Sequence, residues 1–288
     1  MIIVKLSGGL GNQLFQYATG RALAIRKKTG LCFDTSNYGR EEAGVIRRGI
    51  ALQHFQVEGT IATPHQLRKL LQPSLLSKLA RKIFALPSVY YRERFFHFDP
   101  EVLETGTTVL LDGYWQSEKY FKAIAPVVRK DLRVISPLSA ETRAMADRIA
   151  NTRSVSLHVR RGDYVNDPKT LSYHGVCEPG YYTKAIAALK ERVGEMEIFV
   201  FSDDMDWAKE NISTEFPMTF VNHPGRQDYE DLYLMSLCRH NIIANSSFSW
   251  WGAWLNINPG KAVVAPARWF NESNADTKDL LPPEWLKV

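Results

Sequence analysis

The sequence predicts an α/β protein made of two units, each a parallel sheet flanked by helices. Three observations carry this. The chain opens as strand, glycine-rich loop, helix, strand; the same alternation restarts near residue 154; and a connector containing Ser136-Pro137 separates the halves. At 288 residues there is room for two domains of ordinary size, expected at 1–136 and 137–288.

Taken in order, Ile2-Ile3-Val4-Lys5-Leu6 is an apolar run of buried-strand type. Ser7-Gly8-Gly9-Leu10-Gly11-Asn12-Gln13 is a glycine-rich loop. Residues 14–28 have helical spacing, and Gly30 stops that helix ahead of the strand Leu31-Cys32-Phe33-Asp34. Residues 64–87 interleave Leu67, Leu70, Leu71, Leu75, Leu79, Ile83 and Phe84 with Arg68, Lys69, Lys78, Arg81 and Lys82, and Pro73 divides them into two basic amphipathic helices. Such a pair either packs its leucines on a core or makes peripheral contact with a membrane surface. Residues 89–98 are strongly aromatic. Val109-Leu110-Leu111-Asp112 is a strand running into Gly113-Tyr114-Trp115-Gln116.

In the second half a helix over 141–150 precedes a strand at 154–159. A helix at about 180–192, a strand at 198–201 and the loop Ser202-Asp203-Asp204 follow. A helix near 227–238 leads to a strand at 241–244, then to Asn245-Ser246-Ser247, a Trp-rich helix at 248–255 and a last strand at 262–265.

Hydrophobic residues make up 45% and charged residues 23%, enough for a core without disulfides. The formal charge of +5, from 36 Lys and Arg against 31 Asp and Glu, suits an anionic substrate. No dense Lys/Arg tract and no zinc-finger or RNA-binding signature is present, so nucleic acid is not an expected partner. Cys32, Cys177 and Cys238 have neither metal-ligand nor disulfide-framework spacing, which indicates a reducing compartment. The opening apolar run is too short for a signal peptide, and no run approaches a membrane span. The expected location is cytoplasmic, at most peripheral on the inner face of the membrane.

The most informative stretch is His158-Val159-Arg160-Arg161-Gly162-Asp163-Tyr164, directly after the apolar Val155-Ser156-Leu157. Two arginines at the end of a buried strand are costly to place unless an anion meets them, and the planar guanidinium fork matches a phosphate. Asp163 can orient an arginine or accept a proton. Ligands of open parallel sheets collect at the carboxyl ends of strands. The other polar clusters fall at such ends: Gly8 to Gln13, Tyr114 to Gln116, Ser202 to Asp204, and Asn245 to Ser247. Ser246 and Ser247 stand at a helix N-terminus, which favours an anion and also suits a plain N-cap. Trp250 and Trp251 fit a core better than a sugar platform. Asp204-Met205-Asp206 is a weak divalent-metal pattern; with Arg160 and Arg161 available to neutralise a diphosphate, no metal is expected. The Gly8-Gly9-Leu10-Gly11 loop has neither the dinucleotide fingerprint nor a P-loop lysine, which argues against NAD chemistry and ATP hydrolysis.

Together these stretches resemble the bacterial-type α-1,2-fucosyltransferases. The resemblance rests on residues 8–18, Gly113-Tyr114-Trp115-Gln116-Ser117, 158–164, Phe201-Ser202-Asp203-Asp204, and Asn245-Ser246-Ser247-Phe248-Ser249-Trp250-Trp251, in order along almost the whole chain. The His-x-Arg-Arg-x-Asp element is shared with α-1,6- and protein O-fucosyltransferases; the glycine-rich opening joined to Phe-Ser-Trp-Trp is more selective. The resemblance implies a GT-B-like fold, two Rossmann-type domains whose parallel sheets face across a cleft. It implies GDP-L-fucose as donor substrate, held mainly by the C-terminal domain, and a galactose-terminated glycan as acceptor on the N-terminal side. Transfer to the 2-hydroxyl would proceed with inversion and without metal or cofactor. In these terms Arg160 meets the β-phosphate, Arg161 braces the loop through Asp163, and Asp163 and His158 are the candidate bases. Ser202, Asp203, Ser246, Ser247 and Asn12 line the donor, while Tyr114, Trp115 and Gln116 meet the acceptor. The alternatives are an α-1,6- or protein-directed fucosyltransferase and a non-catalytic glycan- or nucleotide-binding module.

Overall fold

The computed structural model describes residues 1–38, 49–72, 88–271 and 275–288, with the side chain of Asp163 also outside that description. It divides into two compact units. The first comprises Met1–Ile135 and Ala275–Leu280, the second Ser136–Asn274 and Leu281–Val288. The chain thus returns to the first unit late, at a segment where Asp279 accepts from Phe98 N (3.1 Å) and Lys119 Nζ (2.5 Å) and its carbonyl accepts from Ser117 Oγ (2.7 Å).

In the first unit, β1 (Ile2–Lys5), β2 (Leu31–Asp34), β3 (Thr60–Ile61), β4 (Tyr90–Arg92) and β5 (Val109–Asp112) form one sheet in the order β3-β2-β1-β5-β4. All its pairings are parallel. The apolar runs of β1 and β5 lie at its centre, buried on both faces. The helix after β1 spans Leu10–Arg26, four residues earlier than its spacing predicts. Gly9 is its N-cap, and the Gly9 carbonyl accepts from Asn12 N (3.0 Å) and Gln13 N (3.1 Å), so both residues sit in the first turn and not in a loop. Of the basic amphipathic pair, the helix Pro64–Leu71 starts with a Thr63–Gln66 capping box, and Leu67 and Leu70 pack on Ile3, Cys32 and Leu110 of the sheet. The expected second helix, with Lys78, Arg81 and Lys82, lies outside the described residues.

In the second unit β6 (Ser154–Val159), β7 (Glu197–Ser202), β8 (Met218–Phe220), β9 (His240–Ile242), β10 (Val263–Ala265) and β11 (Leu286–Lys287) form a sheet in the order β11-β10-β9-β6-β7-β8, again wholly parallel. Counted from β6, this is the doubly wound dinucleotide-type order. The first sheet is also parallel and reverses beside β1 but sets β5, not β4, next to it, and the two parallel sheets fit the predicted α/β, GT-B-like class. Alternation along β6 sends Val155, Leu157 and Val159 to one face, against Tyr182, Ala185, Ile186 and Leu189 of helix Pro179–Val193. On the other face Phe199 and Phe201 of β7 meet Ile149, Leu234, Met235 and Cys238. Below the sheet end Asn241 donates to Ser156 Oγ (2.7 Å) and Met235 O (2.9 Å), and Asn256 to Asn241 Oδ1 (2.8 Å) and Cys238 O (2.7 Å), which satisfies a buried amide pair. Among the described residues no helix is long and apolar enough to cross a membrane.

Candidate active site

The strand order of the second sheet reverses between β6 and β9, and ligand crevices of such sheets open at that reversal, beyond the strand ends. The ends of β6 and β9 carry Arg160-Arg161 and Asn245-Ser246-Ser247. The tilted rings of His158 and Phe248, 5.6 Å apart, show that the two segments meet.

Arg160 is fixed by its neighbour strand. Its Nη1 lies 3.0 Å from Asp203 Oδ2, while Asp203 Oδ1 accepts from Arg161 N at 2.9 Å. One carboxylate just past β7 thus holds both the guanidinium and the backbone of the arginine loop. Gly162 permits this approach, because a Cβ there would stand 2.6 Å from Asp203 Oδ2. The Arg160 guanidinium also lies over the Tyr164 ring, 5.4 Å from its centroid.

Arg161 is committed elsewhere. Its guanidinium stacks 4.1 Å from the Trp207 ring centroid, and its Nε lies 3.5 Å from Asp204 Oδ2. Among the described side chains Asp203 and Asp204 brace the two arginines, and the brace expected from Asp163 falls on a side chain outside the description.

Ser202 Oγ accepts from Asp204 N (2.9 Å), and Asp204 then caps the helix Met205–Asn211 through Trp207 N (3.3 Å). Ser246 is buried and is the N-cap of Ser247–Leu255, accepting from Phe248 N at 3.3 Å. Asn245 Nδ2 donates to the carbonyls of His174 (3.0 Å) and Trp269 (3.2 Å), which pins this turn from below. Ser246 and Ser247 stand at the start of a nine-residue helix, where the backbone amides and dipole favour an anion.

His158 shares the β6 face of Arg160 and is only 4% exposed. Burial, then the charges of Arg160 and Arg226, hold its pKa down to about 3. A ring that gives up its proton so readily suits a hydrogen-bonding role better than that of a base. The sign of its pH dependence follows. The unfolded chain takes up a proton near 6.5 and the native state only near 3, so this group withdraws stability as pH falls from about 6.5 towards 3, by roughly 2 kcal/mol between pH 7 and 5. Asp231 acts oppositely. Burial, opposed by Arg226 and aided by Asp228 and Glu230, pushes its carboxyl up to about 7, so it withdraws stability as pH rises through about 4 to 7. The diagnostic is thus the difference between proteins: in urea unfolding at pH 7 and 5, His158→Gln should lose less stability on acidification than wild type. Equal losses would show that His158 does not carry the effect.

Arg226 escaped the sequence reading. From the loop before helix Asp228–Leu237, its Nη2 donates to Ser202 O (3.3 Å) and its Nε lies 3.0 Å from Asp231 Oδ1, so it backs the same strand end as Asp203. A single arginine in a His-Pro-Gly-Arg turn carries no local signal of that placement.

In the first unit the order reverses between β1 and β5, and here too the two predicted loops converge. Gln116 Nε2 donates to Asn12 Oδ1 at 2.8 Å, and Gln16 Nε2 reaches Gly113 O (3.0 Å) and Ser7 Oγ (2.9 Å). Tyr114 is 43% exposed, whereas Gln116 is buried. Trp115, expected on the acceptor side, is fully buried and packs edge-on against Tyr120 at 5.7 Å. Its ring anchors the loop from beneath and offers no face to a ligand. Glu93, also missed, accepts from the amides of Tyr114 (2.7 Å) and Trp115 (2.8 Å); burial pushes its carboxyl up against the pull of those two amides. Trp250 and Trp251 are fully buried. Among the described residues no group of three or more His, Cys, Asp and Glu side chains is placed to hold a metal ion.

The model of "Glycosyl transferase family 11" matches residues 66–288. The chain is similar to an Escherichia coli protein named alpha-1,2-colitosyltransferase, 32% identical over 293 residues covering 100% of this chain and 99% of that protein. It is similar to the galactoside 2-alpha-L-fucosyltransferase Sec1 of Mus musculus, 26% identical over 291 residues covering 99% of this chain and 71% of that one. Among solved structures, NodZ, an alpha-1,6-fucosyltransferase soaked with GDP-fucose, aligns with a TM-score of 0.48 and 15% identity, covering 88% of this chain and 92% of that one.

Proposed function

The chain belongs to glycosyl transferase family 11, and from that premise we propose that it moves L-fucose from GDP-β-L-fucose to the 2-hydroxyl of a terminal galactose. Transfer proceeds with inversion and without metal. The observation that carries this reading is the Arg160–Asp203 pair, held at 3.0 Å at the carboxyl ends of β6 and β7, with β6 also bordering the reversal of the second sheet.

Arg160 takes the β-phosphate and stabilises the charge that grows as GDP departs, which is usually the largest electrostatic contribution in such reactions. Arg161, seated on Trp207, keeps the arginine loop in place. Ser202, Asp203, Ser246 and Ser247 belong to the nucleotide pocket. Asn12, Tyr114 and Gln116 offer amide and phenol groups to sugar hydroxyls. Inversion calls for a base near the attacking hydroxyl, and with His158 held neutral Asp163 is the candidate that remains.

The alpha-1,2-colitosyltransferase relative favours a second reading, in which the donor sugar is colitose and the linkage is the same. Incubation of GDP-fucose, and separately GDP-colitose, with lactose, followed by linkage determination, distinguishes them. An α-1,2-fucosylated product formed at full rate in EDTA is expected. Turnover of the colitose donor alone, an α-1,6 product, or a loss in EDTA restored by manganese would each contradict the reading.

A further inference from the structure

Glu93 stands in the aromatic segment after β4, and its backbone N donates to Asp112 O at 2.9 Å. From there its carboxylate spans the turn that leaves β5. Oε2 accepts from Tyr114 N at 2.7 Å and Oε1 from Trp115 N at 2.8 Å, one oxygen for each of two successive amides. This is an anion held in a backbone nest, with the anion supplied by the protein.

Two further features show that the turn is built around this carboxylate. Trp115 has φ of 58°, a left-handed conformation that a bulky side chain adopts only when its surroundings impose it. Gly113 is the other: a Cβ there would lie 2.3 Å from Glu93 Cβ and 2.8 Å from Oε2. The same turn is held by Gln16 Nε2 to Gly113 O (3.0 Å) and by Ser117 N to Trp115 O (2.8 Å). With the Trp115 ring buried, the turn leaves the Tyr114 ring 43% exposed and directs Gln116 to Asn12.

We propose that Glu93 is a positioning residue for the acceptor sugar: its carboxylate fixes the backbone of Tyr114 and Trp115, and so sets where Tyr114 and the Gln116–Asn12 amide pair stand. The inference rests on the reading of Tyr114 and Gln116 as acceptor-side groups. Glu93 itself touches no reacting atom. Glu93→Gln keeps the shape but turns an NH2 group towards one of the two amides. Glu93→Asp keeps the charge but is one methylene too short to serve both.

The experiment compares Michaelis constants for lactose and for GDP-fucose in wild type, Glu93→Gln, Glu93→Asp, Tyr114→Ala and Gln116→Ala. Loss of one or two charge-assisted hydrogen bonds should raise the lactose KM of Glu93→Gln by about tenfold or more, with Glu93→Asp in between. The GDP-fucose KM and the slow release of GDP in the absence of lactose should stay within about twofold of wild type. An unchanged lactose KM in both Glu93 variants, alongside a raised one in Tyr114→Ala or Gln116→Ala, would overturn the positioning role and leave the acceptor site standing. An unchanged lactose KM in Tyr114→Ala and Gln116→Ala would overturn the acceptor reading and this inference with it. An equal rise in the GDP-fucose KM would show that Glu93 serves the fold at large and overturn the role as well. If Glu93→Gln does not fold, Glu93→Asp alone decides between these results.

Discussion

Replacing Arg160 by alanine should lower kcat with GDP-fucose by about 10²- to 10³-fold, the usual cost of removing one preorganised donor aimed at developing charge. The loss should appear in turnover and not in folding. Asp203 would lose one partner at 3.0 Å but keep the amide of Arg161 at 2.9 Å, so no carboxylate is stranded without a hydrogen bond. Arg160→Lys retains a charge but not the planar fork, and should recover only a small part of the rate. Single-turnover release of GDP, with circular dichroism to verify the fold, measures both. A near-normal rate in Arg160→Ala would remove this residue from the chemistry.

The second large effect concerns stability. Trp250 is fully buried, with the Trp251, Trp254 and Trp285 rings at 5.1, 6.2 and 5.4 Å. Trp250→Ala should cost about 3–5 kcal/mol, because the site loses both transfer free energy and packing around the cavity left behind. At roughly 2–4 °C per kcal/mol for a domain of this size, Tm should fall by about 6–20 °C. Tyr114→Ala, at an exposed ring, should leave Tm nearly unchanged. A wild-type Tm for Trp250→Ala with weakened glycan binding would turn this tryptophan into a sugar platform.

Much of the architecture is legible in the sequence, for a physical reason. Strands buried on both faces tend to be continuous apolar runs, as β1, β5 and β7 are, while β6 alternates Val155, Leu157 and Val159 with the buried polar Ser154, Ser156 and His158. Short edge strands carry no such constraint: β3 is exposed and Tyr90–Arg92 of β4 is polar enough to pass for loop. The helix at Leu10 begins inside the glycine-rich loop because Gly9 caps it, which no apolar period announces. At the candidate site the convergence of strand ends could be anticipated, since parallel sheets place polar clusters there. Partnerships across long sequence separations could not. Asp203 reaches the arginine loop over about 42 residues of intervening chain, Glu93 reaches Tyr114 across 21, and Arg226 backs Ser202 across 24. Each depends on strand order, which local pattern does not encode.

The central claim is that Arg160 grips the leaving diphosphate, and comparison of GDP and GMP binding tests it most directly. Calorimetric titration of wild type should show GDP bound at least about tenfold more tightly than GMP, since only GDP has the β-phosphate that a charged hydrogen-bond donor can meet. In Arg160→Ala this preference should vanish, through weaker GDP binding with GMP unchanged. A variant that still prefers GDP by the wild-type margin would contradict the account.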